Sequence, residues 1–137
     1  MLTGVDIANR AKEYIGTPFH HQGRLFQVGI DCLGLAICVG NDFGLNIPNE
    51  VMYGARPDPV RFLKGLKDNL DETAQIEAGC VLSFAFLAGP QQHVGIAIST
   101  DRFVQAILYH KVHVVTLGDL WLSRLRGVYR YRGVQYG

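Results

Sequence analysis

The stretch Gly29-Ile30-Asp31-Cys32-Leu33-Gly34-Leu35-Ala36, continued by Ile37, Cys38 and Val39, constrains this chain more than any other. A run this apolar does not suit a surface helix, whose outer face must meet water. It suits a helix buried inside a domain. Asp31 is the right residue type to cap that helix, because a short carboxylate can accept from the orphan amides of the first turn. Cys32 then falls in the first turn, where unpaired N–H groups and the positive dipole end favour the nucleophilic thiolate. The negative charge of Asp31 opposes this, so a base from elsewhere must complete the activation. A cysteine at the head of an apolar run also fits a plain role as a small buried hydrophobe. This stretch alone does not choose between the two.

The chain has 137 residues, which suits a single domain, 1–137, with a real core. An apolar share of 48% and a net charge of +1 point to an ordinary globular protein and away from nucleic acid, whose binders carry a basic excess. The three cysteines form no Cys-x-x-Cys pair, which argues against a disulfide scaffold and a structural zinc site. No apolar run reaches membrane-spanning length. Met1-Leu2-Thr3-Gly4-Val5-Asp6 lacks the basic and apolar regions of a secretory signal. The expectation is a protein made in the cytoplasm, with any substrate outside the cell reached by another delivery route.

Hydrophobic spacing predicts a first helix over 3–15, capped by Thr3, with an apolar stripe of Ile7, Ala8, Ala11, Tyr14 and Ile15. Gly16 and Pro18 stop it. A polar loop, Thr17-Pro18-Phe19-His20-His21-Gln22-Gly23-Arg24, follows and is expected to line a cleft beside Cys32. Its adjacent histidines have no matching ligand spacing downstream, so neither a metal nor a cofactor is expected. After the central helix, 41–54 reads as irregular. Asp58-Pro59 reads as a cap and first turn for a short amphipathic helix carrying Val60, Leu63, Leu66 and Leu70. Gly79 ends a polar connection. From Val81 onward the period changes, and 81–87, 93–98, 102–108, 111–117 and 128–131 read as strands, with turns at Pro90 and Ser99-Thr100-Asp101. A short helix fits 119–125. Helices first and strands later imply an α+β fold, with an antiparallel sheet of about five strands packed on the Cys32 helix.

A cysteine nucleophile needs a base, and the base needs an orienting group. Of five histidines, His20 and His21 lie in the loop, His110 falls at a turn, and His113 alternates with Val112 and Val114 in the manner of a solvent-facing residue. His93 differs, because it opens the apolar strand His93-Val94-Gly95-Ile96-Ala97-Ile98 with small Gly95 and Ala97 on its own face. A structural histidine would also fit there. With an odd-numbered turn at 99–101, strand parity puts Phe103, Gln105 and Ile107 on the His93 face. A three-residue turn sets Gln105 opposite Gly95 and diagonal to His93, roughly 7–8 Å away at Cα, a gap a long side chain can bridge.

At these residues the chain resembles the NlpC-type cell-wall cysteine peptidases, small papain-like α+β hydrolases of bacteria and phages. The resemblance rests on Gly16-Thr17-Pro18-Phe19, Gly29-Ile30-Asp31-Cys32-Leu33-Gly34, His93-Val94-Gly95-Ile96 and Phe103-Val104-Gln105-Ala106, in that order and at fitting spacings. It implies Cys32 as nucleophile, His93 as base, Gln105 as orienting residue, and hydrolysis of an amide in the peptide stem of peptidoglycan. It further implies that Asp31 pairs with the free amine of a stem peptide, and that Phe19, His21 and Leu33 border the substrate. The stretch His20-His21-Gln22-Gly23-Arg24 looks more like the phage-tail and gene-transfer-agent versions, which implies phage tail proteins as partners and a particle as the carrier to the wall.

Three positions depart from the family pattern. Phe19 stands for a Tyr, Leu33 for a Ser, and Cys80 for an Asp. These leave room for an alternative, an inactive structural or wall-binding tail component of the same fold. A lipid acyltransferase of related fold fits less well, since there the histidine precedes the cysteine.

Overall fold

A computed structural model describes residues 1–48, 59–85 and 93–137. Helix α1 spans Gly4–Glu13 and starts at a reciprocal cap. Thr3 Oγ1 accepts from the Asp6 amide at 3.3 Å, and Asp6 Oδ2 accepts from the Thr3 amide at 3.0 Å. Ile7, Ala8, Ala11 and Tyr14 are buried, as the apolar stripe requires, while Ile15 is exposed. A two-stranded ribbon of β1, Arg24–Leu25, and β2, Gly29–Ile30, then leads into α2, Cys32–Asp42. Gly34, Leu35, Ala36, Ile37, Val39 and Gly40 of α2 are all buried, so the continuous apolar run does mark the central helix. Asp42 at its far end holds α1 in place. Arg10 Nε donates to Asp42 Oδ2 at 2.8 Å, and the Tyr14 hydroxyl donates to the same oxygen at 2.6 Å.

Helix α3, Pro59–Asn69, precedes β3, Leu70–Thr73. The strands β4, Val81–Phe84, β5, His93–Ala97, β6, Arg102–Gln105, β7, His113–Thr116, and β8, Leu125–Tyr131, complete the sheet, with α4, Asp119–Arg124, inserted before β8. Strand order is β3-β8-β4-β5-β6-β7, and every pairing is antiparallel. The fold is therefore α+β as expected, but the main sheet has six strands. The additional one is β3. Its burial reads one buried position followed by exposed and half-buried ones, so Leu-Asp-Glu-Thr gives no alternating signal, and Leu70 opens this edge strand where a last helical apolar residue was expected. β6 and β7 are shorter than expected because the chain turns at 107–110, where Tyr109 has φ 69°. The irregular reading of 49–54, the Asp58 cap, the strand extension at 86–87 and the Pro90 turn lie outside the described residues.

Alternation along the strands divides the core in two. Val81, Val94, Ile96, Val104, Tyr129 and Tyr131 share one apolar cluster with residues of α1, α2 and α3. Leu82, Phe84, Ala97, Phe103, Leu117 and Val128 form a second cluster with Trp121 of α4. A buried hydrogen bond from the Tyr131 hydroxyl to the Ala36 carbonyl, 2.6 Å, fixes α2 against the sheet.

Candidate active site

The start of α2 is built around a buried carboxylate. Asp31 is 3% exposed. Its Oδ1 accepts the Gly34 amide at 2.7 Å, which is the cap, and also the Arg24 guanidinium at 3.0 Å. Oδ2 accepts the Gln22 amide at 2.8 Å. These bonds tie the 20–24 loop to the first turn. Gly34 is required by the close approach of that loop. A Cβ there would lie 2.3 Å from the Gly23 carbonyl oxygen and 2.8 Å from an Arg24 nitrogen. Asp31 thus faces a cation and two amides inside the protein.

Cys32 is half-buried, the first residue of the helix, and its sulfur meets the backbone amides of Val94 and Leu33. Burial and the Asp31 carboxylate push the thiol up to about 12, against the lowering effect of those amides and Arg24. The expectation that the helix terminus favours a thiolate is therefore corrected. Desolvation outweighs the dipole, and the resting group is a neutral thiol. Contact with Val94 brings the sulfur to the residue after His93. Phe19 and Leu33 are half-buried and packed on the first apolar cluster, and Phe19 bridges to Ile30 one residue before Asp31. His21 is exposed; the His20 ring donates from Nδ1 to the His21 carbonyl at 3.0 Å. Among the described residues, no group of three metal-ligating side chains occurs. Cys38 is also half-buried, and its thiol donates to the Arg24 carbonyl at 3.4 Å; Cys80 is buried in the second cluster.

The other half of the site is a row across three strands. The register Ile96↔Val104, continued one step, sets Gln105 opposite Gly95, and Gln105 pairs directly with His113. His93 and Gln105 are 1% and 3% exposed, and His93 Nε2 lies 2.8 Å from Gln105 Oε1. Gln105 Nε2 lies 3.1 Å from His113 Nε2, and His113 Nδ1 lies 2.7 Å from the Lys111 carbonyl. Burial lowers the His93 pKa to about 4, with His113 lowering it further and the Gln105 hydrogen bond raising it, so His93 is neutral at neutral pH. A neutral imidazole whose Nε2 donates to an amide oxygen carries a lone pair on Nδ1, which is the form a general base needs.

An aromatic wall surrounds this row. The ring centroids of Phe84 and Trp121 each lie 6.1 Å from that of His93, and Trp121 stacks edge-on against Phe84 and Phe103. Gly95 makes room for it, since a Cβ there would lie 2.7 Å from the Phe103 ring. Sequence reasoning found His93, Gln105 and the small Gly95, but missed this wall and left His113 facing solvent. His113 is half-buried, with its ring turned to Gln105. The signal was available in the lone Trp of the short helix before the last strand, and in the parity that puts His113 on the Gln105 face.

Comparison with known proteins bears on the fold that carries this site. No curated protein of similar sequence was found. Among solved structures, the chain is similar to the NlpC/p60 domain of the peptidoglycan hydrolase SagA, with 21% identity, a TM-score of 0.68, and 93% of this chain and 98% of that one covered. It is also similar to an NlpC/P60 family protein from Bacillus cereus, with 20% identity, a TM-score of 0.72, and 94% and 40% covered. NlpC2 from Trichomonas vaginalis is similar as well, with 19% identity, a TM-score of 0.68, and 93% and 46% covered. The chain thus spans nearly all of the SagA domain and less than half of the other two. The sequence matches the NlpC/P60 family over residues 16–130, from the first motif to the last strand, and the chain belongs to that family.

Proposed function

We propose that this chain is a cysteine peptidase that hydrolyses an amide bond in the peptide stems of peptidoglycan. The observation that carries the reading is the 2.8 Å bond between His93 Nε2 and Gln105 Oε1, on the strand whose Val94 amide meets the Cys32 sulfur. The SagA domain, named a peptidoglycan hydrolase, supplies the substrate class. In this reading the Cys32 thiol gives its proton to His93 Nδ1 as the sulfur bonds to the amide carbon. The imidazolium returns that proton to the leaving amine, which departs and leaves a thioester on Cys32. Water then attacks the thioester, regenerating the thiol and releasing the carboxylate. With both groups neutral at rest, proton transfer accompanies attack and does not precede it. Gln105 holds the imidazole, and the aromatic wall flanks the His93–Gln105 bond. Phe19, His21 and Leu33 border the stem peptide.

The stretch 20–24 supports a phage-tail or prophage setting, with tail proteins as partners and a particle as carrier. A second reading, a wall-binding tail component without turnover, draws on two observations, the neutral thiol and the Asp31 charge already matched by Arg24. Digestion of purified sacculi separates the two. The peptidase reading expects new stem fragments by mass from the wild type and none from Cys32→Ala. Binding to sacculi with no fragments from either would favour the second reading.

A further inference from the structure

We propose that His113 is a positioning residue that determines which nitrogen of His93 carries the proton, and that protonation of His113 disarms the base. This rests on reading His93 as the base of the proposed peptidase. The argument is one of hydrogen-bond direction. The Lys111 carbonyl only accepts, so His113 Nδ1, 2.7 Å away, carries a hydrogen. A neutral His113 then accepts at Nε2. Facing it at 3.1 Å is the side-chain nitrogen of Gln105, which only donates. That leaves Gln105 Oε1 toward His93 at 2.8 Å, and an amide oxygen only accepts, so His93 Nε2 carries the hydrogen. Three links, starting at a backbone carbonyl, thus reserve Nδ1 of His93 for the lone pair.

An added proton on His113 breaks this sequence. Both of its ring nitrogens then donate, and Nε2 can no longer accept from Gln105. The conflict is relieved when the Gln105 amide turns over, placing Oε1 against His113 and its nitrogen against His93 Nε2. His93 must now accept at Nε2, so its single proton, exchanged through water, resides on Nδ1. That is the atom required to take the thiol proton. His113 gains one proton from solvent and nothing else changes in the inventory. The arrangement suits a sensor, because His113 is half-buried and reachable while His93 and Gln105 are sealed.

The groups around His113 are accounted for. Gln105 faces it from β6, and His93 lies beyond on β5. The His110 ring sits 5.6 Å away on the preceding turn, and Lys111, exposed, presents its carbonyl. Val115 and Leu117, further along its own side of the chain, are apolar, and α4 lays Trp121 on that same second cluster. Among the described residues, no carboxylate bonds to or pairs with His113. Its protonation is therefore met by one acceptor, the Lys111 carbonyl, and by whichever end of Gln105 is turned to it.

The test reads the His93 tautomer directly, from long-range proton–nitrogen spectra of the imidazole nitrogens across pH. The rate at which iodoacetamide alkylates Cys32, located by peptide mass, is followed over the same range. In the wild type, His93 should switch from Nε2–H to Nδ1–H along the titration of the His113 ring, and alkylation should slow at least about tenfold with the same midpoint. His113→Gln supplies an acceptor that does not titrate, so its alkylation limb should move to lower pH. A His93 that stays Nε2–H through the His113 titration overturns the proposal, as does an unmoved limb in His113→Gln. If that variant does not fold, the wild-type spectra decide alone. Neither readout needs substrate, so a relay that fails and a chain that does not cleave sacculi are distinguishable.

Discussion

The two halves of the site are built by opposite means. The Cys32 half is local and charged: within a dozen residues, a ribbon, a loop and a helix start are bound by Asp31 to Arg24, Gln22 and Gly34. The His93 half is non-local and uncharged, drawn from four strands and a helix, and held by side-chain bonds inside an aromatic wall. The first uses a buried ion pair, which costs desolvation and repays it only with full hydrogen bonding. The second avoids charge altogether, and that is why burial lowers His93 so far. A buried carboxylate fixes where the Cys32 thiol is, whereas a neutral row fixes which way a proton points.

The largest test of this contrast lies in the uncharged half. In the proposed peptidase His93→Ala removes the base and should lower hydrolysis by at least about a thousandfold, whereas Gln105→Ala removes only orientation and should cost about ten- to a hundredfold. Gln105→His or Gln105→Asn should recover part of that loss. Fragment release from sacculi under matched conditions gives the ranking, and equal effects of the two alanine variants would erase the distinction between base and orienting residue.

Next in size is a stability effect peculiar to the neutral half. The folded-state pKa of His93, about 4, lies below the ordinary value of 6.5, so between those values the unfolded chain binds more protons. Stability from His93 is thus fully present above pH 6.5 and is lost as pH falls toward 4, by at most about 3 kcal/mol. Urea unfolding at pH 7 and pH 4.5 should show this loss, and His93→Gln should shrink it. An unchanged pH dependence in that variant would assign the loss elsewhere.

Two glycines then sharpen the comparison within one experiment. Gly34→Ala drives a methyl into the backbone of the loop that Asp31 holds, 2.3 Å from the Gly23 oxygen. It should cost about 1–3 kcal/mol, a fall of several degrees in Tm. At Gly95 the contacts are longer, with the Phe103 ring at 2.7 Å and the Val104 carbonyl oxygen at 2.9 Å. Gly95→Ala should cost less stability but disturb the wall around His93. A Gly95→Ala variant less stable than Gly34→Ala would show that the sheet half is the more rigid of the two.

The smallest effect concerns Asp31 and substrate. Pairing with Arg24 predicts that Asp31→Asn lowers kcat/KM on free-amine and N-acetylated stem peptides alike, within about threefold of each other. Direct amine recognition would instead give a ten- to a hundredfold preferential loss on the free amine, the cost of a charged hydrogen bond.

The same contrast explains what could be read in the sequence. The Cys32 half is contiguous, so Asp31 as cap and the apolar run as a buried helix were legible from residue order alone. The His93–Gln105 bond was legible one step further, because the parity of a three-residue turn carries the register. What escaped needed contacts that no local pattern encodes. Arg24 reaches forward seven residues to Asp31, Trp121 crosses from α4, and His113 gains its meaning only from the strand beside it. β3 escaped because an edge strand with one buried residue has no period to show. The thiol's elevation escaped because a helix terminus can be recognised in sequence, whereas desolvation cannot.

The central claim is that the two halves converge on Cys32, and the most direct measurement is the mass of that residue's peptide. A stem peptide mixed with excess protein, quenched in acid within one turnover, should leave its acyl portion on the peptide containing Cys32, with Cys38 and Cys80 unmodified. Cys32→Ala should form no adduct and release no fragment. Fragment release at the wild-type rate by Cys32→Ala, with no acyl group on any cysteine of the wild type, would contradict the account.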